Sequence, residues 1–118
     1  MSEGRLRQAM LLDFYGELLT ERQRLCFDLH YNEDLSLSEI AEQCGISRQG
    51  VWDNIRRAEG AMEDIEEKTG LIRRFEENRA ALEKIREDMK TLAAITGGQA
   101  HETAVKAMEE IDNLIARG

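Results

Sequence analysis

SLSEIAEQCGISRQGVWDNIRRAEGA, residues 36–61, is the stretch on which the fold turns. Ser36 stands three residues before Glu39, so hydroxyl and carboxylate can each satisfy one orphan amide at the start of a helix. Ile40 follows as a core candidate, and Ala41 is small enough for a close helix crossing. Gly45 can take the left-handed conformation that a sharp turn between helices demands. Ile46 reads as the hydrophobic plug of that turn and Ser47 as the cap of the next helix. In that next helix Val51, Ile55, Ala58 and Met62 recur at spacings of four, three and four, which makes one apolar stripe. Gln49, Asp53, Arg56 and Gly60 fall on the opposite side, with Arg48, Trp52 and Arg57 on its flanks. Two helices, a glycine turn between them and a polar outer face on the second describe a helix-turn-helix.

Outward from this centre the pattern stays helical. Met1–Arg5 reads as a frayed end. Leu6, Met10, Phe14 and Leu18 recur every four residues, with Leu11 and Tyr15 alongside, and predict an amphipathic helix over Leu6–Leu19 despite Gly16. Thr20 with Gln23 is a second capping box, so another helix is expected from there to about Tyr31, its inner face carrying Leu25, Cys26 and Leu29. Asn32–Leu35 is a short polar break. The helix from Ser47 continues through Ile65 to about Lys68, and Gly70 marks its stop. Residues 1–70 therefore read as a helix-turn-helix domain of four helices, with the reading helix from about Ser47.

From Leu71 the composition changes. Leu71, Phe75, Asn78, Leu82, Ile85, Met89, Leu92 and Thr96 alternate spacings of four and three, a heptad seam with one polar position. Thr96-Gly97-Gly98 breaks it, and Ala104, Met108, Ile111 and Ile115 form a shorter last stripe. Residues 71–118 are thus expected to form a C-terminal helical hairpin. The fold class is all-α. Alone, the hairpin covers only part of its seam. A homodimer through these helices is the expected solution, since helix-turn-helix readers commonly use two-fold symmetry on DNA. The alternative is that the hairpin completes the core of a monomer.

Charge argues against simple nucleic-acid binding. The 118 residues carry a formal net charge of −8, and residues 1–70 alone hold eight Lys/Arg against fifteen Asp/Glu. Duplex affinity comes largely from neutralising phosphates, and a basic footprint over the whole domain is missing. Local charge still acts within about 8–10 Å, and Ser47–Gly60 holds three arginines against two acids. Any binding is expected to be weak per monomer and steeply salt-dependent. Two cysteines, Cys26 and Cys44, make no disulfide framework, and Cys26 with His30 supplies two metal ligands at most, too few for a zinc set. His101 reads as an isolated surface residue. No Gly-rich phosphate loop, nucleophile–base arrangement or metal cluster is present, so neither an enzyme nor a cofactor is expected. No apolar run approaches a membrane span and no signal peptide is visible, which leaves the cytoplasm as the expected location and no membrane partner.

The run LTERQRLCFDLHYNEDLSLSEIAEQCGISRQGVWDNI resembles region four of bacterial sigma factors, the domain that reads promoter DNA. With MLLDFYGELLTERQ before it and SRQGVWDNIRRAE within it, the chain is more similar still to the YlxM-like family of small bacterial helix-turn-helix proteins. The resemblance covers Leu6–Gly70 and is most specific over Ser47–Ile55. It implies a sigma region four-like domain, DNA binding, and an association with the signal recognition particle pathway.

Position by position, sharp and bland readings stand side by side. Arg48 occupies a place where the sigma pattern also has an arginine; it can fork onto guanine or hold a phosphate, or be a solvated helix-start residue. Gln49 stands where that pattern has a glutamate, Trp52 where it has a basic residue, and Asp53 where it has a glutamine. An aspartate in a groove faces phosphates on both sides; it can accept from cytosine, or pair with Arg56 or Arg57 across one helical turn. Trp52 can stack on an unpaired base, anchor a protein partner, or lie over the domain's own first helix. Arg56, Arg57, Arg22 and Arg24 are candidate phosphate contacts. The acidic run Glu63–Glu67 reads as a solvated face. Two functions follow. In one, a DNA-binding regulator enters a major groove with the helix from Ser47, whose reading residues are Ser47, Arg48, Gln49, Trp52, Asp53, Arg56 and Arg57; Arg48, Gln49 and Asp53 lie at base edges, and Arg56, Arg57, Arg22 and Arg24 hold the backbone. In the other, an accessory factor binds RNA or protein components of the signal recognition particle pathway without reading duplex sequence.

Overall fold

Local chemistry fixes where each helix begins and ends. The computed structural model describes Glu3–Gly118, with six α-helices and no strand among the described residues. They are α1 (Glu3–Tyr15), α2 (Glu21–Tyr31), α3 (Leu37–Cys44), α4 (Arg48–Thr69), α5 (Leu71–Ile95) and α6 (Gly98–Arg117). Both anticipated capping boxes form: Thr20 with Gln23 before α2, and Ser36 with Glu39 before α3. Gly45 closes α3 at φ 69° and Gly70 closes α4 at φ 63°, each in the left-handed region that a side chain resists.

Packing divides the chain into two compact units, the first ending at Ile72 and the second spanning Arg73–Gly118. In the first, α4 is the central element, packed against α1, α2 and α3. Its stripe of Val51, Ile55, Ala58 and Met62 is fully buried, together with Phe27, Leu11, Ile40, Cys26 and Ile72. The Phe27 and Tyr31 rings lie 4.7 Å apart, one helical turn from each other.

The first helix departs from expectation. The chain leaves the α-helix at Tyr15 and makes a single 3₁₀ turn over Gly16–Leu18. Its inner face is Leu11 and Tyr15, whereas Leu6 is 57% exposed, Leu18 70% and Phe14 38%. A strict four-residue repeat drifts by about 40° per step around a helix of 3.6 residues per turn, so the Leu6–Leu18 series cannot stay on one face. On α2, Cys26 and Leu29 face the core as anticipated, but Leu25 is exposed and Phe27 takes the third inner place. The frayed-end expectation fails for Arg5, which donates to the Tyr31 carbonyl at 2.8 Å and pairs with Asp34. For Met1 and Ser2 it lies outside the described residues.

Within Glu63–Glu67, read as a solvated face, Asp64 and Glu67 are exposed but Glu66 is not. It is buried, accepting from the Tyr15 hydroxyl at 2.6 Å and from the Ile72 amide at 2.9 Å. The first-turn amides of α5 lack intrahelical acceptors, so a carboxylate there caps the helix and satisfies itself. Tyr15 also shares a 2.8 Å hydrogen bond with Thr69. Burial, then the hydrogen bond to Glu66, pushes the Tyr15 phenol above its ordinary range. Glu63 is engaged too, by Arg7 at 3.1 Å.

The second unit is an antiparallel hairpin of the remainder of α5 with α6. His101 Nδ1 meets the Ala93 carbonyl at 2.7 Å beside the Thr96–Gly97 turn, and Arg86 forks onto Asp112. Ala104 and Ile111 are buried and Met108 and Ile115 half-buried, as their spacing anticipates. The heptad seam is only partly covered: Phe75, Leu82 and Met89 are half-buried, but Asn78, Ile85 and Leu92 are exposed.

Candidate nucleic-acid interface

The outward side of α4 follows from its start. Ser47 Oγ accepts from the Gly50 amide at 3.0 Å, and Gly50 leaves room for this cap, since a Cβ there would come within 3.2 Å of the same oxygen. With Val51, Ile55, Ala58 and Met62 inward, the residues between them must face out. Arg48, Gln49, Asp53, Arg56 and Arg57 are all exposed, and among the described residues Arg48, Arg56 and Arg57 form no ion pair.

Asp53 pairs with neither Arg56 nor Arg57. It accepts from Gln49 Nε2 at 3.0 Å, one turn toward the N-terminus. Arg56 instead lies over the Trp52 ring, its guanidinium carbon 5.7 Å from the ring centre, in cation–π geometry. Two candidate base-edge readers, Gln49 and Asp53, thus satisfy each other, and one candidate phosphate contact rests on an aromatic face.

Trp52 is 36% exposed and forms a ridge between two depressions. One, of about 600 Å³, is lined by Leu37, Ser47, Arg48 and Gln49. The other, of about 450 Å³, is lined by Tyr31, Arg56, Glu59, Gly60 and Glu63. Burial first, then the Glu59 carboxylate, pushes the Tyr31 phenol up. Leu37, Tyr31 and Glu59 did not stand out in the sequence; the only signal was their place at helix ends or on the flank one turn from Arg56.

The α2 arginines stand apart from this group. Arg22 borders a hollow with Glu21, Leu25, Gln43 and Cys44. Arg24 sits in a depression with Asp13, Glu17, Glu21 and Asp28, among carboxylates. The cysteines are free; burial and the neighbouring Cys44 thiol push the Cys26 thiol up. His30 Nδ1 lies 3.2 Å from the Leu35 carbonyl.

Residues 2–100 match the model of the family described as "UPF0122: Putative helix-turn-helix protein, YlxM / p13 like". The chain belongs to this YlxM-like helix-turn-helix family. A UPF0122 protein of Thermoanaerobacter pseudethanolicus is 42% identical over 111 residues, covering 94% of this chain and 92% of that protein. One of Geobacillus kaustophilus is 42% identical over 113 residues, covering 95% of this chain and all of that protein. One of Bacillus cereus is 38% identical over 112 residues, with 95% of this chain and all of that protein covered. The family is described by its helix-turn-helix and by no catalysed reaction. None of the described helices is long and apolar enough to cross a membrane.

Proposed function

We propose that this YlxM-like protein is a non-enzymatic, cytoplasmic, DNA-binding regulatory factor whose contact surface is the outer face of α4. One observation carries the reading: Arg48, Arg56 and Arg57 stand exposed and, among the described residues, without acidic partners on the second helix of an intact helix-turn-helix. In an acidic chain, unpaired cations gathered on one helix are the local exception that a polyanion can use. Arg48 at the helix start lies toward base edges, with Arg56, Arg57 and Arg22 toward phosphates. Arg24, ringed by carboxylates, contributes least.

A second reading is favoured by Trp52 and Asp53, an aromatic ring and an acid on a surface that duplex readers keep polar and basic. In it the same surface serves an accessory factor that binds RNA or protein of the signal recognition particle pathway. Titration of labelled duplex DNA and of signal recognition particle RNA, at low and moderate salt, separates the two. Duplex binding at low salt that falls steeply with salt, and that weakens about tenfold in Arg48→Ala for the loss of about 1.4 kcal/mol, supports the first. Binding of the RNA alone supports the second. Absence of both at low salt ends the nucleic-acid proposal.

The same reading includes a homodimer through the C-terminal helices. Ile85, Leu92 and Leu114 leave about half of their surface open on the hairpin, and a second copy offers the identical apolar strip. Sedimentation of the wild type and of Ile85→Lys/Leu92→Lys checks this: a dimer that the double substitution dissociates is expected, and a wild-type monomer at high concentration removes it.

A further inference from the structure

We infer that Trp52 is a stacking platform for an unpaired nucleobase, so that the α4 surface takes single-stranded or looped-out nucleic acid. The inference rests on the nucleic-acid reading above and names the ligand class of the same surface. A tryptophan is the largest apolar side chain a fold can bury, yet here it forms a ridge between two open depressions. Every base has a π-face, so such a ridge accepts bases with little regard to sequence.

The surroundings divide the labour between base and phosphate. Arg48 borders one of these depressions and Arg56, lying over the ring, borders the other; among the described residues neither forms an ion pair, so a strand's phosphates have a cation within reach on both sides of a stacked base. The Arg56 depression is also lined by Tyr31, Glu59, Gly60 and Glu63, and Glu63 is paired with Arg7, so it offers room for a base beside the ring. Gly60 keeps the floor open, since a Cβ at this position meets nothing within 4 Å. Groove reading by the same face is handicapped, because Gln49 and Asp53 are already bonded to each other and Asp53 brings a carboxylate toward the phosphates of a duplex. An unpaired strand can turn its backbone away from Asp53. A duplex cannot.

Trp52 is the only tryptophan of the chain, so intrinsic emission reports this site alone. The test titrates the full-length protein with end-labelled mixed-sequence strands, one of DNA and one of RNA, and with the same DNA sequence as a blunt duplex. Label anisotropy and tryptophan emission are followed together at low salt. The expected result is saturable quenching by the single strands with the same midpoint as the anisotropy, and little quenching by the duplex. Trp52→Ala and Trp52→Leu are expected to weaken single-strand binding roughly 5- to 150-fold, with Trp52→Phe recovering part of the loss and circular dichroism unchanged throughout. A stronger response to RNA or to DNA supports the inference equally and assigns the sugar. Anisotropy that saturates with unchanged emission, or Trp52→Leu binding as tightly as wild type, overturns the stacking platform and leaves the nucleic-acid reading standing. A peptide or protein ligand that quenches Trp52 where no nucleic acid binds overturns both.

Discussion

The two compact units are both built from amphipathic helices, and they differ in how much those helices enclose. Up to Ile72, α1, α2 and α3 surround α4, and side chains as large as Phe27, Ile55 and Met62 lose all contact with solvent. From Arg73 onward the sequence pattern is more regular, a heptad seam facing a second stripe, yet only Ala104 and Ile111 are buried. Regular periodicity reports which face of a helix is apolar. Enclosure needs neighbours on several sides, and a two-helix hairpin supplies one. The first unit can therefore leave the polar outer face of α4 exposed, because its inner face is fully used. The second has apolar surface left over.

The largest expected effect breaks this contrast at its centre. Phe27→Ala should destabilise the protein by about 3–5 kcal/mol, a large share of the stability of a small domain, and chemical denaturation should show it. Leu92→Ala, on a seam that the hairpin itself leaves open, should stay within about 0.5 kcal/mol at concentrations where the protein is monomeric, and should cost more only where a second copy covers the seam. Equal losses for the two would mean that the second unit encloses a core of its own.

The next effect concerns the junction where α4 ends and α5 begins. Glu66→Ala leaves the Tyr15 hydroxyl and the Ile72 amide without their shared acceptor and should cost about 1–3 kcal/mol. Glu66→Gln keeps an acceptor oxygen and should cost less. The same cluster gives a pH dependence with a definite sign. The Tyr15 phenol is raised above its ordinary 10.0, first by burial and then by the bond to Glu66, so the folded state holds that proton more tightly. Its contribution is complete below pH 10 and is lost as pH rises through the raised value. Alkaline melts of the wild type should decline in that window, and Tyr15→Phe should flatten the decline.

What could be seen in the sequence was whatever depends on near neighbours. Thr20–Gln23, Ser36–Glu39, Gly45, Ser47 and Gly70 each act over one helical turn, and each does what its spacing implied. The α4 stripe was legible because its members differ sharply from the polar residues between them. The α1 face was not legible, since leucines and aromatics lie on several sides of that helix. The choice of Leu11 and Tyr15 over Leu6 and Phe14 is made by α4, far along the chain, as the bond from Tyr15 to Glu66 shows. Glu66 itself looked like one acid in an acidic run, and only the α5 start folding back beside it gives it a role. At the site, the exposed arginines followed from helical spacing. The Gln49–Asp53 bond and the placement of Arg56 over Trp52 are choices among equally spaced partners, which spacing alone leaves open.

The smallest effect is the most informative about the α4 surface. Gly60 lies inside a 22-residue helix, is exposed, and has open space where a side chain would be. Glycine in a helix interior is less favourable than alanine by about 0.8–1.0 kcal/mol, so Gly60→Ala should raise stability by up to that amount. The added methyl group would stand in the depression beside Trp52. If the outer face of α4 is inert, stability should rise and nothing else should change. If Trp52 receives a base there, single-strand affinity should fall as the melting temperature climbs. A variant that is more stable and a poorer binder is what a surface kept open for a ligand produces. Gain without loss would place this face in the same class as the uncovered seam of α5.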